Sequence, residues 1–212
     1  MARAELSLAE ATGMFIQVAR SMVESQDLLT QADKAIGDGD HGIGMARGFE
    51  AVGQRLEAQP PATVGELLKA IGMTLMTSVG GASGAIFGIF FRGGAKNAGD
   101  RAVFDAQMFS MMLGDGLQAV QERGKAKPGD KTMVDALAPA AARAAELAAG
   151  PLGEAMPAAA EAARQGMEQT KEMVASIGKA KTLGERSLGH ADPGAISTYL
   201  ILRFMADYVA CG

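Results

Sequence analysis

The chain has 212 residues, enough for one substantial core, and its 48% hydrophobic and 21% charged residues are the balance of a globular domain, which excludes a disordered or fibrous chain. A net charge of −4 with no basic stripe or arm excludes a nucleic-acid partner, and a single cysteine, Cys211, excludes an internal disulfide framework and suits a reducing compartment. No signal-like run opens the chain, and its most apolar stretch, Gly80 to Ala95, contains Arg92 and is shorter than a span, so a cytoplasmic protein with no membrane contact is expected.

Alternating strand patterns are nearly absent, and helical spacing recurs from end to end. Leu6 to Leu29 reads as one helix, with Met14, Phe15, Val18, Met22 and Leu29 at helical steps. A second runs from Ile43 through Leu56 and stops before Pro60-Pro61. Thr63 caps a third that carries Leu67, Leu68, Ile71 and Leu75 to Thr77. Helices follow from Ala82 to Ala95, Phe104 to Glu122 and Thr132 to Ala149, the last bent or interrupted by Pro139. Leu152 to Ser176 is next, with Pro157 acceptable only in a first turn, and a final helix starts at Pro193. The fold class is therefore all-α: a bundle of about eight amphipathic helices forming a single domain over residues 1–212. With 5% aromatics and 14 methionines, its core must be aliphatic and Met-rich.

Glycine, 28 in all, concentrates in the loops near 37–48, 80–94 and 184–194, and a fourth Gly-containing loop spans 123–133. In "ADKAIGDGDHGIG" three aspartates, Asp33, Asp38 and Asp40, can converge if Asp33 ends a helix and the others lie on the loop. Like charges that close destabilise one another unless a cation intervenes. An all-oxygen set points to Mg²⁺ or Ca²⁺ rather than zinc. The calcium-loop pattern fails, because Ile43 stands where a glycine is needed and Phe49 where a bidentate glutamate is needed. A metal–phosphate site remains, beside a purely structural reading of the Asp-Gly turns.

Elsewhere, "SVGGASG" precedes an apolar helix whose start, with Ser83, can receive an anion, although close helix packing would also select such small residues. "GKAKPGDKT" is not a phosphate loop of the Walker type, because Asp130 separates the glycine from Lys131 and no strand precedes it. It reads as a charged turn opening a helix at Thr132. In "LGERSLGHADPGA", capping accounts for Asp192 and Pro193 but not for Arg186 or His190, which with Lys179 and Lys181 would make a mobile cationic loop able to close over phosphates.

Together "DKAIGDGDHG", "GMTLMTSVGGASG", "GKAKPGDKTMVDAL" and "LGERSLGHADPGA" resemble, in order and spacing, the nucleotide-binding L subunit of dihydroxyacetone kinases, across nearly the whole chain. The resemblance implies a closed barrel of eight antiparallel helices with an adenine nucleotide, ADP or ATP, at one end. It implies two Mg²⁺ ions held by Asp33, Asp38 and Asp40. It also implies nucleotide contacts from His41, Gly42, Ile43 and Gly44, from Ala82 with Ser83 at a helix start, from Gly124 and Met133 beside the nucleoside, and from Asp192, Pro193 and Gly194. Relatives commonly carry "GRASYLGERS" where this chain has "GKAKTLGERS", so Lys179 stands at a usual arginine and lacks its planar fork. Gly44 stands where some relatives have asparagine.

The function the resemblance implies is that of a phosphoryl-donor subunit. A separate K subunit holds the keto-sugar, and the donor is either exchanging ATP or bound ADP rephosphorylated by a phosphotransferase-system protein. No general base is nominated in this chain. A non-catalytic nucleotide sensor that binds a transcription regulator, and a kinase subunit for another substrate such as a tetrulose or a fatty acid, are the rival readings.

Overall fold

The computed structural model describes residues 2–211. Two short strands, β1 (Glu5–Ser7) and β2 (Val103–Asp105), pair antiparallel with Leu6 opposite Phe104, both fully buried. They are three residues each, too short to show an alternation in the sequence. Everything else of regular structure is helical.

α1 (Leu8–Glu24) begins in a capping box in which Ser7 accepts from the Glu10 N–H while the Glu10 carboxylate accepts from the Ser7 N–H. The single helix expected over 6–29 is two, because the chain breaks at Ser25 and restarts as α2 (Gln26–Ile36). Ser25 turns its hydroxyl and its N–H onto the Ser21 carbonyl, closing α1. Met22 and Leu29 are two turns apart, so the apolar periodicity runs on across the break and hides it.

α3 (His41–Ala58), α4 (Val64–Ser78), α5 (Gly81–Gly94) and α6 (Ala106–Gly124) follow, with Thr63 capping α4 as expected and Asp105 capping α6. α7 (Met133–Glu146) opens in a second capping box, Thr132 with Asp135. Pro139 lies inside α7 and does not end it. α8 (Leu152–Gln169) carries Pro157 at its sixth residue, beyond the first turn. Pro157 is exposed, so the helix loses one internal hydrogen bond on a face where water can replace it. α8 ends at Gln169 rather than Ser176; two 3₁₀ stretches, Thr170–Glu172 and Lys179–Ser187, lead to α9 (Pro193–Cys211).

The helices pack in a cyclic order: α1 against α3, α3 on α4, and so on through α8 on α9, with α9 returning to α1. α2 lies against α3 and α9. Inside, Phe15 meets Phe91 and Phe104 edge-on at 5.9 and 6.3 Å, among buried Leu, Met and Ala side chains. Among the described residues, no helix is long and apolar enough to cross a membrane.

Candidate functional site

The N-termini of α3, α5, α7 and α9 border one cavity of about 490 Å³. That volume falls in the range of small-ligand pockets, roughly 300–1,000 Å³. Four positive helix ends facing one space favour an anion there. Two of those ends are already served by carboxylates. Asp135 accepts from Thr132 and Gly129 N–H groups, and Asp192 accepts from the Ala195 N–H at 2.8 Å. α3 and α5 carry no side-chain cap of their own.

At the α3 end stand the three aspartates. Asp33 is buried in the last turn of α2, while Asp38 and Asp40 are exposed on the loop, yet ligand oxygens of all three lie within 4.8 Å of one another. Two glycines make this possible. Gly39 turns the chain between Asp38 and Asp40 at φ +79°, a conformation that costs other residues about 1 kcal/mol or more. A Cβ on Gly37 would lie 2.1 Å from Asp33 Oδ1. The donor set is all oxygen and open on one side, as a hard divalent cation requires.

A cation already reaches these carboxylates: Lys179 Nζ donates to Asp38 at 2.5 Å and lies 3.3 Å from Asp40 Oδ2. That hydrogen bond holds the Asp38 carboxyl below its usual range and raises the Lys179 ammonium above its own.

His41 joins the carboxylates to the opposite wall. Its backbone N–H donates to Asp33 Oδ2 at 3.1 Å, its Nδ1 lies 3.0 Å from Ser83 Oγ, and its Nε2 lies 2.8 Å from Ser197 Oγ. Burial lowers the imidazole pKa against the pull of Asp33 and Asp40, which favours the neutral ring, in which one nitrogen donates and the other accepts. Ser83 sits in the first turn of α5, entered through Gly80 at φ +80°. Arg47 braces that entry, donating to the Ser78 carbonyl at 2.7 Å and to the Val79 carbonyl at 2.6 Å at the end of α4. The apolar wall comes from Ile36, Ile86, Phe87, Met133 and Ile177. At the same cavity, low-dielectric surroundings push the Asp192 carboxyl up to about 7, with Asp135 adding to the rise and Lys131 opposing it.

Of the residues singled out in the sequence, Asp33, Asp40, His41, Ile43, Gly44, Ala82, Ser83, Met133, Lys179, Asp192, Pro193 and Gly194 line the cavity, and Asp38 completes the carboxylate cluster. Three stand apart. Gly42 faces α2, where a Cβ would meet the Gln26 carbonyl and the Thr30 hydroxyl at 2.3 Å, so it serves helix packing. Gly124 ends α6 behind Ile86, 3.4 Å from its Cδ1 by the same measure. Arg186 is exposed in the second 3₁₀ stretch, outside the lining. Sequence reasoning missed Arg47, Lys131 and Ser197. Arg47 had a signal, since 40, 44 and 47 share one face of a helix. Ser197 had none, lying 156 positions from His41.

A model of the DAK2 domain matches residues 35–207. The chain is 41% identical, over 182 residues, to the ADP-binding subunit DhaL of the PEP-dependent dihydroxyacetone kinase of Escherichia coli (strain K12), covering 85% of this chain and 87% of that protein. It is 36% identical over 187 residues to the ADP-binding subunit DhaL of the PTS-dependent dihydroxyacetone kinase of Lactococcus lactis subsp. lactis (strain IL1403), covering 88% and 90%. The L-erythrulose kinase of Pectobacterium atrosepticum is 39% identical over 180 residues, which are 82% of this chain but only 30% of that protein. Among solved structures, the dihydroxyacetone kinase of C. freundii in complex with AMP-PNP and Mg²⁺ superposes with a TM-score of 0.73 at 26% identity, covering 98% of this chain and 35% of that longer one.

Proposed function

The chain belongs to the DAK2-domain family, that of the ADP-binding L subunits of dihydroxyacetone kinases, and from this premise we propose that its cavity holds the adenine nucleotide that donates a phosphoryl group to a short keto-sugar. The observation that carries the reading is the convergence of Asp33, Asp38 and Asp40 at a cavity bordered by four helix N-termini. In this proposal the whole chain, 1–212, is one nucleotide-holding domain, and the cyclic order of its helices closes as a barrel with the site at one end.

Asp33, Asp38 and Asp40 would hold two Mg²⁺ ions. Bound there, the ions would neutralise phosphate charge and fix the orientation of the terminal phosphoryl group. The chain's own residues do the rest. Ser83 and the first N–H groups of α5 receive phosphate oxygens, and His41 sets the direction of the Ser83 hydroxyl. Ala82, Ile43 and Gly44 shape the floor, Met133 packs against the base, and Asp192, Pro193 and Gly194 close a further part of the wall. Gly124 backs Ile86 and borders the nucleoside at one remove. Lys179 swings from Asp38 to the phosphates when nucleotide binds, and Arg186 follows on the same segment. No side chain here is assigned as general base, since positioning and charge neutralisation supply most of the acceleration in phosphoryl transfer.

Acceptor and donor belong to partners. A K subunit would hold the keto-sugar, and a phosphotransferase-system protein would rephosphorylate bound ADP, a regime supported by the likeness over most of their length to ADP-binding subunits of PEP- and PTS-dependent kinases. The likeness to an L-erythrulose kinase supports a tetrulose as second acceptor, the choice lying with the K subunit. Incubating the chain with a K subunit and keto-sugar, first with ATP and then with ADP plus a phosphohistidine donor, tests the proposal. Phosphorylated sugar in the second mixture alone supports it, and product in neither overturns it.

A further inference from the structure

Lys131 of the loop "GKAKPGDKT" is given no role in the reading above, yet it is the least exposed charged side chain among the described residues. Lys131 is 1% exposed, and its backbone takes the left-handed region, φ +60°. A lysine gains nothing from that conformation, which costs on the order of 1 kcal/mol for residues with a Cβ. What the conformation achieves is to bring the ammonium inward. Nζ donates to the Thr170 carbonyl at 2.5 Å and to the His190 carbonyl at 2.6 Å.

We propose that Lys131 is a positioning residue whose buried ammonium fastens both ends of the 171–189 segment, the cationic lid that carries Lys179, to the start of α7. Its two acceptors are the last residue before that segment and the first after it. Thr170 caps α8, so its carbonyl belongs to a helix C-terminus, where a cation is favoured. His190 lies two residues before Asp192, which caps α9. One side chain therefore ties three helices, α7, α8 and α9, together beneath the lid.

Neighbouring contacts reinforce the same seam. Asp192 N–H donates to the Thr170 hydroxyl at 3.0 Å, and Gly189 N–H donates to the Lys171 carbonyl at 2.8 Å. Asp130, next in sequence to Lys131, accepts from the Ser176 hydroxyl at 2.6 Å. Asp135 and Asp192 supply opposite charge, yet burial still lowers the Lys131 pKa, as expected of an ammonium held mainly by carbonyl dipoles. Removing it would leave the buried Thr170 carbonyl, and the His190 carbonyl beside it, without this donor.

The consequence for nucleotide retention rests on the function proposed above; the clamp itself does not. Lys131→Met and Lys131→Arg, made in the full chain, are compared by amide hydrogen exchange without nucleotide and by the dissociation rate of a fluorescent ADP analogue with Mg²⁺. Hydrogen bonds to a charged group are each worth about tenfold or more in an equilibrium. Lys131→Met should therefore speed exchange in 171–190 at least about tenfold while α4 and α5 keep their protection, speed analogue release by a similar factor, and be reversed in both by Lys131→Arg. Unchanged exchange in 171–190, or acceleration spread evenly over all helices, overturns the proposal. Should the methionine variant not fold, nitrogen-15 spectroscopy of the Lys131 ammonium in the unaltered protein decides. Slow hydrogen exchange with coupling to the Thr170 and His190 carbonyls supports the clamp, and rapid exchange with solvent overturns it. If the unaltered protein fails to bind the analogue, the nucleotide reading falls while the exchange data still judge the clamp.

Discussion

Lys179 Nζ donates to Asp38 Oδ2 at 2.5 Å across 141 positions of sequence, placing a lid cation directly on the carboxylate loop. The ammonium and a divalent ion would compete for the same oxygens. Lys179→Ala should tighten Mg²⁺ binding to nucleotide-free protein, by about two- to fivefold because exposed ion pairs are weak, and should weaken the affinity for Mg-ADP. Titration calorimetry with the metal alone and then with nucleotide separates the two effects. Weaker binding in both titrations would show that Lys179 does not compete with the ion.

Asp33 and Asp38 differ in burial, and their variants should differ accordingly. Asp38→Ala should leave helical content and melting temperature nearly unchanged while abolishing Mg²⁺-dependent nucleotide retention. Asp33→Ala removes a ligand and also the acceptor of the His41 N–H at the start of α3. It should therefore lose about a further 1 kcal/mol of stability, the worth of an N-terminal cap. Thermal unfolding by circular dichroism, read beside nucleotide binding, checks both.

His41→Ala strips the buried Ser197 hydroxyl of its ring partner and releases Ser83. The expected loss is about 1–3 kcal/mol of stability, the cost of leaving a buried polar group unsatisfied. His41→Ala with Ser197→Ala should recover part of that stability without recovering nucleotide affinity, because Ser83 would still lack its strut. A denaturant titration of the single and double variants provides the test.

Asp192 gives the nucleotide-free protein a pH dependence. Its folded pKa, about 7, lies above the ordinary carboxylate value, so the folded state binds more protons than the unfolded state between those two values. Stability contributed by this group is complete below about pH 4 and is lost as pH rises through 7. Allowing for the side chain's partial exposure, the loss is on the order of 1–2 kcal/mol. Asp192→Asn should flatten that slope in melting curves recorded from pH 4.5 to 8; an unaltered slope would mean that other groups cause it.

What the sequence made legible was local chemistry. Thr63 as a cap, a helix opening at Thr132, Pro193 opening the last helix and the three aspartates around Gly37 and Gly39 all follow from rules acting over a few residues. What it concealed was set by distant partners. The break at Ser25 lies within an unbroken apolar period, and Gly42, next to the carboxylates in sequence, faces Gln26 and Thr30 of α2 rather than the cavity. Lys131 reads as part of a solvated charged turn, because neither its left-handed backbone nor the two carbonyls that receive its ammonium, 39 and 59 positions away, leave a mark near it.

The most direct test of the nucleotide site is native mass spectrometry of the purified protein, repeated after dialysis against EDTA and with Asp38→Ala. The unaltered chain should carry one adenine nucleotide with magnesium, released together by the chelator and missing from the variant. Equal nucleotide occupancy in all three samples would contradict a site built on those carboxylates.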